Sequence, residues 1–423
     1  MTSECYVYIV LPGTTQFVTA ARFQVSPTRS GEPVGELVYG RRYMERPDAV
    51  ELDPVELQLK QTRFETARLS GFFGAIRDAM PDAWGRRCLE RSVGRPDLDE
   101  FDYSLQGPDD RAGALGFGLN VEPPAPRQQF NRIGDLASLQ SLAEDVLADR
   151  PYRLETGPGS KQVQQPLLAS TSLGGARAKA VVEDQDGLWI AKFAHPEDRW
   201  NQPRVEHSLL NLAKTCGMDV ADSKLATVAG KDVLLVGRFD REKAEAGYRR
   251  HRMVSALTLL RSEDTPAARA GWSYLALADE IRRASASPKA DLRELFARMC
   301  FNALVSNLDD HPRNHAILAR SSGWRLSPAY DLTPSSVSAT DTRLLAMECG
   351  IHGRMAYREN LVSACGRFLL ATDDAEKLIA TMVRTVRDEW EPSLRRAGAS
   401  KKDRDAIAGA FVYEGFFNTA AAT

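Results

Sequence analysis

Cysteine is sparse and scattered. The six cysteines in 423 residues (Cys5, Cys88, Cys216, Cys300, Cys349 and Cys365) include no Cys-x-x-Cys pair. That pattern excludes a disulfide frame and a structural zinc site of the usual spacing, and it fits reduced thiols. Long apolar runs are missing as well: no stretch approaches the ~18 apolar residues of a membrane-spanning helix. The opening MTSECYVYIVLPG holds the acidic Glu4, no basic flank and only a brief apolar run, so it reads as a first strand instead of a signal peptide. The chain is therefore expected to be soluble and cytoplasmic, with no membrane partner. A basic excess is also absent. A net charge of −2 argues against nucleic-acid binding by the chain alone. The short cationic cluster near the C-terminus (Arg395, Arg396, Lys401, Lys402 and Arg404) reads as the solvated face of a terminal helix, so any DNA contact would need a partner. There is no internal repeat and no low-complexity tract.

What is present is ordinary globular material: 43% hydrophobic and 26% charged residues exclude disorder, and 423 residues allow two or more cores. Three segments are expected: a β-rich subdomain with helices over 1–125, a nucleotide-binding part over 126–250, and a helical lobe over 251–423. In the first, residues 6–10, 17–23 and 34–39 alternate apolar and polar as strands do. From Phe64 to Val93 the spacing of Phe72, Phe73, Ile76, Met80, Trp84 and Cys88 predicts helix, divided at Pro81. The glycines and prolines between 105 and 130 predict a connection between lobes. A helix is predicted over 135–147 and a polar loop over 155–170. Strands follow at 181–182, 188–193, 225–228 and 233–239, with a helix over 203–215 stopped by Gly217. Helices over 291–305 and around 378–390 dominate the remainder.

The most informative stretch is 306–315 (SNLDDHPRNH). A protein kinase needs a carboxylate to take the substrate hydroxyl's proton and, with four residues between them, a side-chain amide to hold metal. Asp309 and Asn314 have that separation, and Pro312 denies the segment helical geometry. A short hairpin over 316–326 then leads to Asp331, whose carboxylate is placed to bind metal. Upstream, Lys192 is a lone charge inside an apolar strand, either reaching solvent or meeting a partner. Glu206, on the following helix, is placed to be that partner or to be solvated. Before the strand, 172–179 (SLGGARAK) sets Gly174, Gly175 and Ala176 ahead of Lys179, as a phosphate-cradling loop or a plain hairpin turn would.

Residues 172–179, 189–193 (WIAKF), 238–241 (RFDR), 307–314 (NLDDHPRN) and 327–332 (SPAYDL) resemble successive blocks of the HipA family, bacterial serine/threonine kinases that act as toxins of toxin–antitoxin pairs. Residues 34–37 (VGEL), 71–85 and 113–117 (GALGF) resemble the N-terminal subdomain of its full-length members. The resemblance implies an α+β, protein-kinase-like bilobal fold, with ATP and Mg²⁺ as cofactors. It implies Asp309 as catalytic base, Asn314 and Asp331 as metal ligands, and Lys192 on ATP phosphate. It places the adenine edge against Gly237 to Phe239, and makes His311 a strut of the catalytic loop. Ser172 matches a loop serine that members autophosphorylate, where the added charge would compete with the ATP phosphates. A HipB-like antitoxin, through which operator DNA is contacted, and an aminoacyl-tRNA synthetase as substrate are implied in the same way. Two departures stand out: Gly237 occupies a position that is acidic in many members, and 251–256 (HRMVSA) lacks an acidic pair. Three other readings stay open: a small-molecule phosphotransferase, a non-catalytic antitoxin-binding corepressor, and a metallohydrolase using Asp309, Asp310, His311 and His315.

Overall fold

The structure, a computed structural model, describes residues 3–127, 129–149, 177–335 and 342–418. Alternating apolar residues form β1 (Ser3–Val10), β2 (Phe17–Pro27) and β3 (Pro33–Tyr39), each antiparallel to the next. After a short helix α1 (Arg41–Met44), β4 (Arg63–Thr66) forms one edge. Helices α2 (Gly74–Asp78), α3 (Ala83–Val93) and α4 (Glu100–Gln106) follow, and β5 (Leu115–Gly118) completes a sheet of order β4-β3-β2-β1-β5. The rings of Phe72, Phe73 and Phe101 close on Phe23 of β2, with centroids 5.2, 6.2 and 5.8 Å away, and so fasten the helices to the sheet.

Two local expectations change here. The helical pattern does not begin at Phe64, which lies in β4 opposite Leu37 and edge-on to Tyr39. Its aromatic ring fills a sheet face, and that contact outweighs the helical spacing further on. Part of the glycine-rich stretch over 105–130 is strand β5, not connection, with Leu115 opposite Ile9. Its glycines answer to packing: a Cβ on Gly116 would meet the Phe17 ring at 2.9 Å, and one on Gly118 the Tyr8 hydroxyl at 2.6 Å.

A second sheet, of order β6-β7-β8-β10-β9, comprises β6 (Asn131–Arg132), β7 (Lys179–Glu183), β8 (Leu188–Phe193), β9 (Ser223–Val228) and β10 (Lys231–Gly237). Helix α5 (Leu136–Leu147) buries Leu136, Leu139, Ala143 and Val146 against Ala180, Val182 and Ala191 of this sheet. Helix α6 (Gln202–Thr215) starts under an Asn201 cap, whose side chain accepts from Arg204 N–H at 3.2 Å. It stops where Gly217 turns to φ 83°, a left-handed conformation that glycine adopts freely.

The hairpin β11 (Arg241–Ala244) and β12 (Gly247–Arg250) leads to β13 (Arg252–Ser255), which pairs with β14 (Ala316–Ala319) and through it with β15 (Arg325–Leu326). Around these lie α7 (Ala256–Leu259), α8 (Tyr274–Ala284), α9 (Pro288–Leu304), α10 (Arg358–Ser363), α11 (Thr372–Arg396) and α12 (Lys401–Ile407). Residues 295–307, the end of α9 and the turn after it, are buried throughout. The fold is α+β, with strands concentrated early and helices late. The cations Arg395 and Arg396 at the end of α11 are exposed and paired with Glu391 and Glu389.

Buried charge joins the first sheet to the end of β10. Arg238 pairs with Asp110 and, at 2.7 Å, with Asp240; Arg241 reaches the same Asp240 oxygen at 2.7 Å, and Gly113 N–H donates to it at 3.0 Å. All four side chains are at most 5% exposed. Burial alone would raise the Asp240 pKa, but the two guanidinium groups outweigh it and hold the carboxyl well below its usual range. Asp240→Asn should therefore cost about 3–5 kcal/mol and lower the thermal unfolding midpoint by several degrees. The folded pKa is depressed, so the stabilisation is present above the unfolded aspartate value of about 3.9 and is lost as pH falls through the folded one. The gap between wild type and variant should thus persist at neutral pH and close only in acid, which a set of melting curves against pH would check.

Candidate active site

Lys192 lies on β8, opposite Leu234 of β10 and Lys179 of β7. Its ammonium is 2.6 Å from Glu206 Oε1 on α6 and 2.6 Å from Asp331 Oδ1. The lysine thus meets a partner, and its side chain is only part-exposed. Burial by itself would lower its pKa, yet the Asp331 and Glu206 carboxylates outweigh that and hold it above its usual value. The Lys192 charge keeps Asp331 below the ordinary carboxylate range. Glu206 moves the other way, because its side chain is almost wholly buried and loss of hydration exceeds the attraction of the ammonium. Asp331 has φ 58°, uncommon outside glycine, while its side chain stays 40% exposed. One of its oxygens therefore serves Lys192 while the group still opens outward.

The loop with Asp309 and Asn314 leaves the buried end of α9 through Ser306, at φ 53°. Asp309 is exposed and Asn314 is buried. His311 N–H donates to the Asp309 carbonyl at 2.9 Å, Asn314 N–H to the His311 carbonyl at 2.9 Å, and Asn314 Nδ2 reaches the Asp309 carbonyl at 3.4 Å. The Asp331 segment is strapped along this loop from both sides. Ahead of it, the Tyr330 hydroxyl donates to the Arg313 carbonyl at 2.7 Å. Beyond it, Ser335 N–H donates to the Ser306 carbonyl at 2.8 Å, and Leu308 N–H to Ser335 Oγ at 3.0 Å.

The remaining candidates divide. His311 contributes its field to Asp331, and its ring meets Trp272 edge-on at 6.2 Å. Phe239 packs 5.6 Å from the Tyr330 ring, while Gly237 and Arg238 N–H groups donate to the Asp222 and Leu188 carbonyls. Lys179 sits beside Lys192 in register, but its ammonium meets Asp82 at 2.6 Å, and its carbonyl accepts from Trp84 Nε1 at 3.0 Å. Ser172, Gly174, Gly175 and Ala176 lie outside the described residues, as does the loop expected over 155–170. His315 turns inward to Asp310 at 2.7 Å, so it does not join His311 as a ligand pair. Among the described residues no group of three or more His, Cys, Asp or Glu side chains is arranged to hold a metal.

Comparison with known proteins bears on this geometry. The HipA-like C-terminal domain family matches residues 171–390. The chain belongs to the HipA family. It is 30% identical over 297 residues to the Sinorhizobium fredii protein named "Putative kinase Y4mE", a match spanning 66% of this chain and 67% of that one. A Haemophilus influenzae protein named "Putative kinase" is 27% identical over 161 residues, 36% of this chain and about half (47%) of the relative. Among solved structures, HipA of Shewanella oneidensis, determined in complex with HipB and its operator DNA, superimposes with a TM-score of 0.67 at 17% identity, over 93% of each chain. That likeness is one of fold, and it extends through the first sheet as well as the site.

Two contacts of this HipA-family site escape sequence reading. Asp82 and Trp84, which hold Lys179, lie 97 and 95 residues upstream of it, and nothing in their local pattern marks them as partners. The use of Lys192 is open to a direct test. Lys192→Met leaves Glu206 and Asp331 facing each other, so one of them should hold a proton at a raised pKa. A raised folded pKa stabilises below the unfolded value and is lost as pH rises through the folded one. The stability deficit of the variant should therefore widen as pH rises above the unfolded carboxylate range of about 4, read as melting temperature against pH. A deficit independent of pH would show that the two carboxylates do not depend on this lysine.

Proposed function

We propose that this HipA-family chain is an Mg-ATP-dependent serine/threonine protein kinase of the toxin type. The observation that carries the reading is the Lys192 ammonium held between Glu206 and Asp331 at 2.6 Å each, with the Asp331 segment strapped to the Asp309–Asn314 loop. Phosphoryl transfer asks a protein for positioning and charge more than for covalent chemistry. Asp309, exposed at the loop's outer side, would accept the proton of the substrate hydroxyl. Lys192 would bind ATP phosphate, Lys179 stays paired with Asp82 beside it, and the backbone from Gly237 to Phe239 would border the adenine. Mg²⁺ usually takes one or two carboxylates plus substrate phosphates and not an all-protein cage. The half-open Asp331 carboxylate with the Asn314 amide fits that habit, and these two residues would hold the ion. When bound, the metal supplies neutralising charge to the transferring phosphoryl group.

The finer parts of the reading rest on family likeness. Ser172 would be the autophosphorylated residue, with Gly174, Gly175 and Ala176 forming the phosphate loop. A HipB-like antitoxin would neutralise the chain and carry it to operator DNA, as the S. oneidensis relative's complex and the net charge of −2 support. An aminoacyl-tRNA synthetase is the proposed substrate and the cytoplasm the proposed compartment. No helix among the described residues is long and apolar enough to cross a membrane.

The test incubates purified protein with labelled ATP and Mg²⁺, comparing wild type with Asp309→Asn. Label should appear on Ser172 in the wild type and fall by about 100-fold or more in the variant, while ATP-induced thermal stabilisation persists in both. Absence of stabilisation by ATP in either protein would overturn the reading. Label transferred to aminoglycosides or sugars, and not to protein, would favour a small-molecule phosphotransferase.

A further inference from the structure

The two residues that follow Asp309 and Asn314 in sequence form a pair of their own. Asp310 and His315 are 1% and 2% exposed, and His315 Nε2 lies 2.7 Å from Asp310 Oδ2. The same carboxylate oxygen accepts from the Tyr274 hydroxyl. Tyr274 opens α8, and its hydroxyl in turn accepts from Asn302 Nδ2 of α9 at 3.3 Å, while Asn302 Oδ1 accepts from Asn307 Nδ2 at 3.0 Å. His315 Nδ1 is buried with no hydrogen-bond partner among the described residues, so Asp310 is the ring's polar anchor. The ring also stands edge-on to Tyr274 at 5.6 Å, and the His315 carbonyl accepts from Ala256 N–H at 2.8 Å. One carboxylate oxygen thus ties together α8, α9, the start of the loop and the residue that leads into β14.

A buried carboxylate is costly unless donors converge on it, and here two do. The brace spans the loop from its second residue to the residue just past its end. It therefore sets the separation of Asp309 from Asn314, each one peptide unit away from a braced neighbour. We propose that Asp310 is a positioning residue of the catalytic loop, acting through His315 and Tyr274 to hold Asp309 and Asn314 at their working separation. This rests on the kinase reading of the site.

The test uses the full chain with Asp310→Asn, and with Tyr274→Phe as the milder variant that deletes one donor and little volume. Small displacements of reacting groups cost large factors, so kcat for phosphoryl transfer should fall about 10- to 100-fold while KM for ATP stays within about twofold. Hydrogen–deuterium exchange should show faster exchange at the His311 and Asn314 amides, which are bonded inside the loop. A purely structural role would lower the melting temperature yet leave kcat per folded molecule at the wild-type value, and that result would overturn the proposal. Should Asp310→Asn fail to fold, Tyr274→Phe decides by the same two readouts. Wild-type protein without phosphoryl transfer would sink the kinase reading instead, and the exchange comparison would then judge the brace alone.

Discussion

A part-buried lysine ammonium held between two carboxylates is the constraint around which this molecule is arranged. Burial disfavours the charge, and only close carboxylates restore it. Lys192 obtains two, one from the helix after its own strand and one from a segment 139 residues away. Satisfying that charge fixes α6 against the second sheet and draws the Asp331 segment to the mouth of the site. The balance is uneven, with two carboxylates facing one ammonium. The surplus negative charge sits on Asp331, whose side chain is 40% exposed.

Around this centre the first sheet and its helices reach both of the parts they border. Asp110 and Gly113 enter the buried network of Arg238, Asp240 and Arg241 at the end of β10. Asp82 holds Lys179 on β7. Asp78 accepts from Ser255 N–H and Thr258 Oγ1, each at 2.7 Å, at the start of α7. These are short-range, geometry-dependent contacts between charged or capped groups, most of them out of water, where losing one partner strands the other. The N-terminal region is thereby a brace across the second sheet and the helical part, which gives a physical reason for its presence in a chain whose proposed chemistry lies elsewhere.

The Asp309–Asn314 loop shows how one short segment can serve two masters. Asp309 is exposed, while Asp310 and His315 face a buried hydrogen-bond chain. Rigidity on the inner side is what gives the outer side a defined geometry, because a solvent-exposed carboxylate on an unbraced loop would lose its aim to thermal motion.

Much of this was legible in the residues themselves. Alternation marked β1 to β3, a lone apolar-strand lysine marked Lys192, and the four residues between Asp309 and Asn314 marked the loop, since each depends on covalent spacing and local backbone preference. Phe64 and Leu115 were misplaced because the contacts that make them strand residues, with Leu37 and Ile9, are to distant segments. The same reason separates what was seen at the site from what was not. Sequence alone determined which side chains could do chemistry and in what order they occur. Only the tertiary structure decided whom each charge meets: Lys192 with Asp331, Lys179 with Asp82, Asp310 with Tyr274 and His315. The energy of a buried charge depends on the few ångströms around it, and those neighbours come from every part of the chain.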